Sequence, residues 1–144
     1  MSTEFQTEGL RSFFAAFEAG TAASDADALA RMYAPAILVA GPNGSQVVKA
    51  ADLLTAVQKR KQLFDAAGRR QTTLAGLVET PLDGRYTLAK TEWRWRFSPA
   101  DRDEAEVTLP STFIVEHTAD GPRIVLYLMH ADVGAVLRER GLLG

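Results

Sequence analysis

The sequence predicts an α+β domain in which helices gathered at the start of the chain cover one face of an antiparallel sheet. Three observations predict it. Apolar residues recur at helical spacing as far as Gly68, and the period then changes to two. The extended runs after Gly68 are separated by turn clusters too short for helical crossovers. A last helical pattern closes the chain. Helices placed before consecutive antiparallel strands form α+β layers.

Leu10, Phe13, Phe14 and Phe17 fall at i, i+3, i+4 and i+7, placing four large side chains on one helical face that Gly20 is expected to end. Ser24 or Asp25 can cap a second helix carrying Leu29, Met32 and Tyr33 inward, and Pro35 closes it. A short run, Ile37 to Ala40, meets Gly41-Pro42-Asn43-Gly44, whose turn chemistry predicts a hairpin returning through Gln46 to Val48. A third helix follows with Leu53, Leu54, Val57 and Phe64 inside, and Gly68 suits the left-handed position past its end.

Residues 70–80, 85–97, 105–117 and 123–130 then read as a four-stranded meander, with Pro110 predicting a bulge or bend. Asp132 precedes the terminal helical pattern, where its carboxylate can cap, and Gly141 suits the stop. No repeat or linker divides the chain, so residues 1–144 form one domain.

With 47% hydrophobic and 24% charged residues, the composition is that of a soluble globular protein. A net charge of −2 gives no broad attraction for nucleic acid or an anionic membrane. The local cluster Lys59, Arg60, Lys61, Arg69 and Arg70 reads as a solvated helix end before it reads as a phosphate site. The N-terminus lacks a signal-peptide pattern, no apolar run is long enough to span a bilayer, and cytoplasmic residence is the default. The absence of cysteine excludes disulfides and thiolate chemistry, and two histidines on separate strands with no carboxylate cluster argue against a metal. No glycine-rich loop follows a strand and opens a helix as a nucleotide cradle requires, and no cofactor is expected.

The paired N-terminal helices ending "DADALARMYAPAILVAGPNG", the third-helix start "VVKAADLLTAVQKR", the strand "TEWRWRF" and the ending "LYLMHADVGAVLRERGLL" are similar to the nuclear transport factor 2 (NTF2)-like superfamily. They most resemble its SnoaL-like and ketosteroid-isomerase-like members. The resemblance covers nearly the whole chain in element order. It implies a cone, a curved sheet wrapped around the helices with a pocket between them, and a homodimer packed through the outer sheet face. It implies no single activity, since the scaffold hosts isomerases, cyclases, dehydratases and plain binding domains.

In "TEWRWRF", Trp93, Trp95 and Phe97 alternate with Glu92, Arg94 and Arg96. The simplest register turns the aromatics toward the helices; a slip of one residue would turn Glu92 and Arg94 inward instead. Residues 112–115 and 124–129 are apolar on both faces, which calls for a second cover and predicts a homodimer through the outer face of these strands. The expected pocket wall, for a small apolar ligand, is Phe13, Phe17, Met32, Tyr33, Leu54, Trp93, Trp95 and Tyr127. If chemistry occurs, it is cofactor-free proton transfer on an apolar carbonyl-type compound, with His130 as acid or base and Tyr33 or Tyr127 as donor to an oxyanion. Asp132 is read as a cap rather than as the partner of His130, and the face carrying His130 stays open. A binding or dimerisation module without chemistry is the other reading.

Overall fold

A computed structural model describes residues 3–143 and, within them, the side chains of residues 10–143 other than Leu54. Helix α1 (Thr3–Ala23) buries Leu10, Phe14 and Phe17 on one stripe and leaves Phe13 half-buried beside them. It runs past Gly20. That glycine serves close packing instead of termination: a Cβ there would stand 3.1 Å from Leu29 Cδ2, on helix α2 (Ala26–Ala30). Asp25 caps α2 by accepting from Ala28 N at 3.1 Å.

Helix α2 is shorter than the sequence predicts. Tyr33 and Pro35 belong to strand β1 (Tyr33–Gly41), because Met32 O accepts from Ile124 N at 2.8 Å and draws the chain into the sheet. Strand β2 (Gly44–Lys49) returns from β1 as the predicted hairpin. Helix α3 (Ala50–Ala66) ends at Ala67, and Gly68 takes the left-handed conformation at φ 82°.

Strands β3 (Arg69–Pro81), β4 (Tyr86–Phe97), β5 (Ala105–Thr118) and β6 (Gly121–Met129) form the antiparallel meander. The early hairpin does not stand apart from it. β1 pairs with β6 in parallel, giving a curved, six-stranded mixed sheet in the order β2-β1-β6-β5-β4-β3. The sheet is antiparallel, as the sequence predicts, except at this one ladder. Helix α4 (Val133–Glu139) begins at Asp132, whose carboxylate accepts from Ala135 N at 3.1 Å, and Gly141 follows it at φ 74°.

Pro110 makes no bulge, since the β4–β5 register runs unbroken through Glu92↔Pro110. It lies one residue beyond the last β5–β6 pair, Ser111↔Met129, so its missing N–H interrupts no pairing there. The irregularities lie elsewhere. One falls between Leu74 and Gly76 on edge strand β3, where Glu18 accepts from Leu74 N at 2.6 Å. Others fall between Arg69 and Gln71 on β3 and between Tyr33 and Leu38 on β1, and a further one places Val125 as an extra residue on β6, between the pairs Val115↔Ile124 and Ile114↔Leu126. It resets the alternation, so Ile124 and Tyr127 both face the helices.

The alternation of "TEWRWRF" follows the simple register. Trp93, Trp95 and Phe97 are buried, while Glu92, Arg94 and Arg96 are exposed, with Glu106 3.8 Å from Arg94 and 3.7 Å from Arg96. On the outer face a row of aliphatic side chains crosses five strands: Val47, Leu38, Leu126, Ile114 and Leu88, each paired with the next. Val47 is 72% exposed and Leu38 37%. Among the described residues, no helix is long and apolar enough to cross a membrane.

Candidate functional site

Between α1, α2, α3 and the concave sheet face lies a cavity of about 60 Å³. A water needs roughly 10–15 Å³ by the same kind of measure, so the cavity takes several waters or a small group, not a whole ring. Phe17, Tyr33, Trp93, Trp95 and Tyr127, expected from the sequence, all line it. Phe13 and Met32 do not: both pack at the edge of the core, Phe13 edge-on to Phe14 at 5.2 Å. The Leu54 side chain lies outside the described residues.

His130 is also absent from the wall. Its Nε2 sits 2.8 Å from Thr112 Oγ1, and Thr112 alternates with the inward Phe113, so the imidazole lies at the outer face of the sheet. The reset at Val125 fixes that outcome: with Tyr127 and Met129 turned inward, Leu128 and His130 turn out. Asp132 is a cap, as read, and its other oxygen accepts from Asn43 Nδ2 at 3.3 Å. Those backbone and side-chain donors, with Ala135 N first, hold its carboxyl below the usual range.

The sequence reading missed Arg60 and Arg69. The basic cluster divides: Lys59, Lys61 and Arg70 are exposed, whereas both of these arginines line the cavity. Position 60 falls three after Val57 and four before Phe64, on the apolar stripe of α3, and that spacing was the available signal. Arg60 donates to Tyr127 Oη at 3.3 Å and reaches Met129 Sδ at 3.8 Å. Arg69 donates to Ser24 Oγ at 3.1 Å and Thr72 Oγ1 at 3.5 Å. Their guanidinium carbons lie 5.9 and 5.2 Å from the Phe64 ring centroid, a double cation–π contact.

Burial shapes the charges. It lowers the Arg69 pKa, with Asp65 opposing and Arg60 adding to the fall. Tyr127 raises the Arg60 pKa against the pull of burial. Burial, followed by Tyr127, pushes the Tyr33 pKa well up, so its phenol stays protonated at neutral pH. Trp95 Nε1 is a buried donor with no acceptor among the described residues. The cavity wall carries no carboxylate and no imidazole among the described residues. No cluster of three or more His, Asp or Glu that could hold a metal occurs among them either.

A second, open cleft of about 490 Å³ lies outside, between the β1–β2 turn, Met129 and the start of α4. Arg60 is the one residue common to both walls.

The family model described as NTF2-like protein (DUF6841) matches residues 4–132. The chain belongs to this NTF2-like family. An NTF2-like protein with a cystatin-like fold from Novosphingobium aromaticivorans superposes with a TM-score of 0.73 at 16% identity, over 96% of this chain and 89% of its own. The Kfla4162 protein of Kribbella flavida gives 0.72 at 16% identity, over 94% and 98%. A Novosphingobium aromaticivorans structure whose name proposes a scytalone dehydratase gives 0.72 at 7% identity, over 89% and 85%. At such identities the likeness establishes the fold and transfers no activity. No curated protein matches the sequence.

Proposed function

We propose that this NTF2-like chain is a small-molecule-binding protein whose ligand enters the aromatic interior between helices and sheet. The observation that carries the reading is Trp95 Nε1, a buried N–H without an acceptor in a cavity wall shared with Tyr33 and Tyr127. A donor left buried costs about 1–3 kcal/mol, and a ligand with an acceptor removes that cost.

The neighbour named for a dehydratase, and another named for an aromatic ring hydroxylase, bring an enzymatic reading to this chain. Cofactor-free proton abstraction needs a base within hydrogen-bond reach of its proton. With no carboxylate or imidazole in the cavity wall among the described residues, and His130 on the outer face, binding is the better-supported reading. A second copy of the chain on the outer sheet face belongs to the same proposal, supported by the aliphatic row from Val47 to Leu88.

The test is thermal stability measured against a panel of small neutral and charged organic compounds. The expected result is a subset that raises the melting temperature of the wild type and loses that effect in Tyr33→Phe or Trp95→Phe. A panel that shifts nothing, together with a Trp95→Phe protein no less stable than wild type, would point to a closed module.

A further inference from the structure

We propose that the cavity takes a small organic anion, a carboxylate on a flat apolar body, and that Arg60 and Arg69 hold its charged end. This rests on the small-molecule reading above and names the class of ligand.

Arg60 comes from α3 and Arg69 from the first position of β3, yet both converge on the same wall, flanking Phe64. Neither has a carboxylate within 4.0 Å among the described residues. Their acceptors are a phenol, a thioether and two hydroxyls, all neutral, at 3.1 to 3.8 Å. A guanidinium offers five N–H donors in a fork, so most remain uncommitted here. Two like charges held in a partly desolvated wall are costly without a counter-charge. A carboxylate would supply it, replacing long neutral contacts with charge-assisted bonds.

Trp95 Nε1 is an independent observation pointing the same way. The residue is 4% exposed, and its N–H lacks an acceptor at the same cavity. The other polar groups of the wall are hydroxyls of serine, threonine and tyrosine, so an ammonium ligand would find no anion there and two cations to repel it. Phe17, Trp93, Phe113 and Tyr127 supply flat apolar surface for the body.

Entry follows from Arg60. The interior, at about 60 Å³, is too small for a ring, while the cleft beyond Arg60 offers about 490 Å³. Arg60 forms part of both walls and is held by only a 3.3 Å contact to a phenol and a 3.8 Å contact to a thioether. Its displacement joins the two spaces, and the incoming carboxylate offers it a stronger partner. Arg60 is thus partition and anchor together.

The experiment compares benzoate, phenylacetate and 2-naphthoate with their primary amides. Binding is read by calorimetry and by the fluorescence of Trp93 and Trp95, the only tryptophans, both in the wall. At least one acid should bind tenfold or more tighter than its amide. Arg60→Gln and Arg69→Gln should each bring the ratio of acid to amide affinity down to about one. Should Arg60→Gln fail to fold, Arg60→Lys keeps the charge without the fork, and the acid preference should fall severalfold. Amides that bind as well as acids, or an acid preference that survives both substitutions, overturn the anion proposal and leave the small-molecule reading standing. Neutral compounds binding where no acid does overturn it alone. Failure of every compound, acid or neutral, overturns both.

Discussion

The rings of Phe113 and Tyr127 stack nearly parallel, with centroids 4.9 Å apart and planes 6° from coplanar. The two residues are directly opposed across β5 and β6, so the strand register itself sets the stack. The Tyr127 hydroxyl has a separate task, accepting from Arg60. Tyr127→Phe keeps the ring and removes the acceptor, and should cost no more than about 1 kcal/mol. Tyr127→Ala removes the ring and should cost about 3 kcal/mol. Urea unfolding midpoints separate the two; equal losses would mean that the hydroxyl, not the stack, stabilises this wall.

Gly68 joins α3 to β3 at φ 82°, and its carbonyl accepts from Ser98 N at 2.7 Å. A Cβ at this position would lie 2.7 Å from Ser98 O, a backbone atom that cannot swing away. Gly68→Ala therefore combines left-handed strain with a clash, and should destabilise by about 2 kcal/mol or more. Thermal unfolding checks this, and a change below about 0.5 kcal/mol would show that the Ser98 segment yields.

The helices, the hairpin and the meander were legible because each has a local period and a local stop signal. Gly41-Pro42-Asn43-Gly44 announces its turn, and Asp132 announces its helix. The β1–β6 ladder was not legible. Its partners lie far apart in sequence, and nothing around Val39 marks it as the neighbour of Tyr127. The aromatic half of the cavity could be read from the alternation in "TEWRWRF". The cationic half could not, because a run of lysine and arginine at a helix end normally means solvent, and only the register of Arg60 on the α3 stripe says otherwise. The face carrying His130 stayed open for a similar reason: the extra residue at Val125 has no signature in an unbroken apolar strand.

His117 pairs with Thr87, its Nε2 2.9 Å from Oγ1, and burial lowers its pKa below the ordinary 6.5. The unfolded chain then takes up the proton before the folded one does. This group leaves stability unaffected above about pH 6.5 and lowers it as pH falls from there through the depressed folded value. His117→Gln, which can keep a hydrogen bond to Thr87 and does not titrate, should flatten that part of the curve. Denaturant unfolding from pH 7.5 to 5 in both proteins tests it; parallel curves would remove His117 from the acid response.

The aliphatic row from Val47 to Leu88 crosses five strands, a band about 19 Å wide at the usual strand spacing. One row does not make an interface, but Leu128 and Ala40 form part of the next row beside it, which continues through Thr112 and Lys90 to Val78, 62% exposed. A surface that width, matched on a second copy about a two-fold axis, suits a dimer burying about 800 Å² per partner. Leu126 sits at the centre of the row and points away from the core, so Leu126→Asp should leave the fold intact while placing two carboxylates against each other across the axis. Sedimentation velocity at micromolar concentration should give a dimer for the wild type and a monomer for Leu126→Asp, with unchanged far-ultraviolet circular dichroism. Arg94→Ser, exposed beyond the row, should remain dimeric. A wild type that sediments as a monomer would sink the dimer, and the exposed row would then need a different partner.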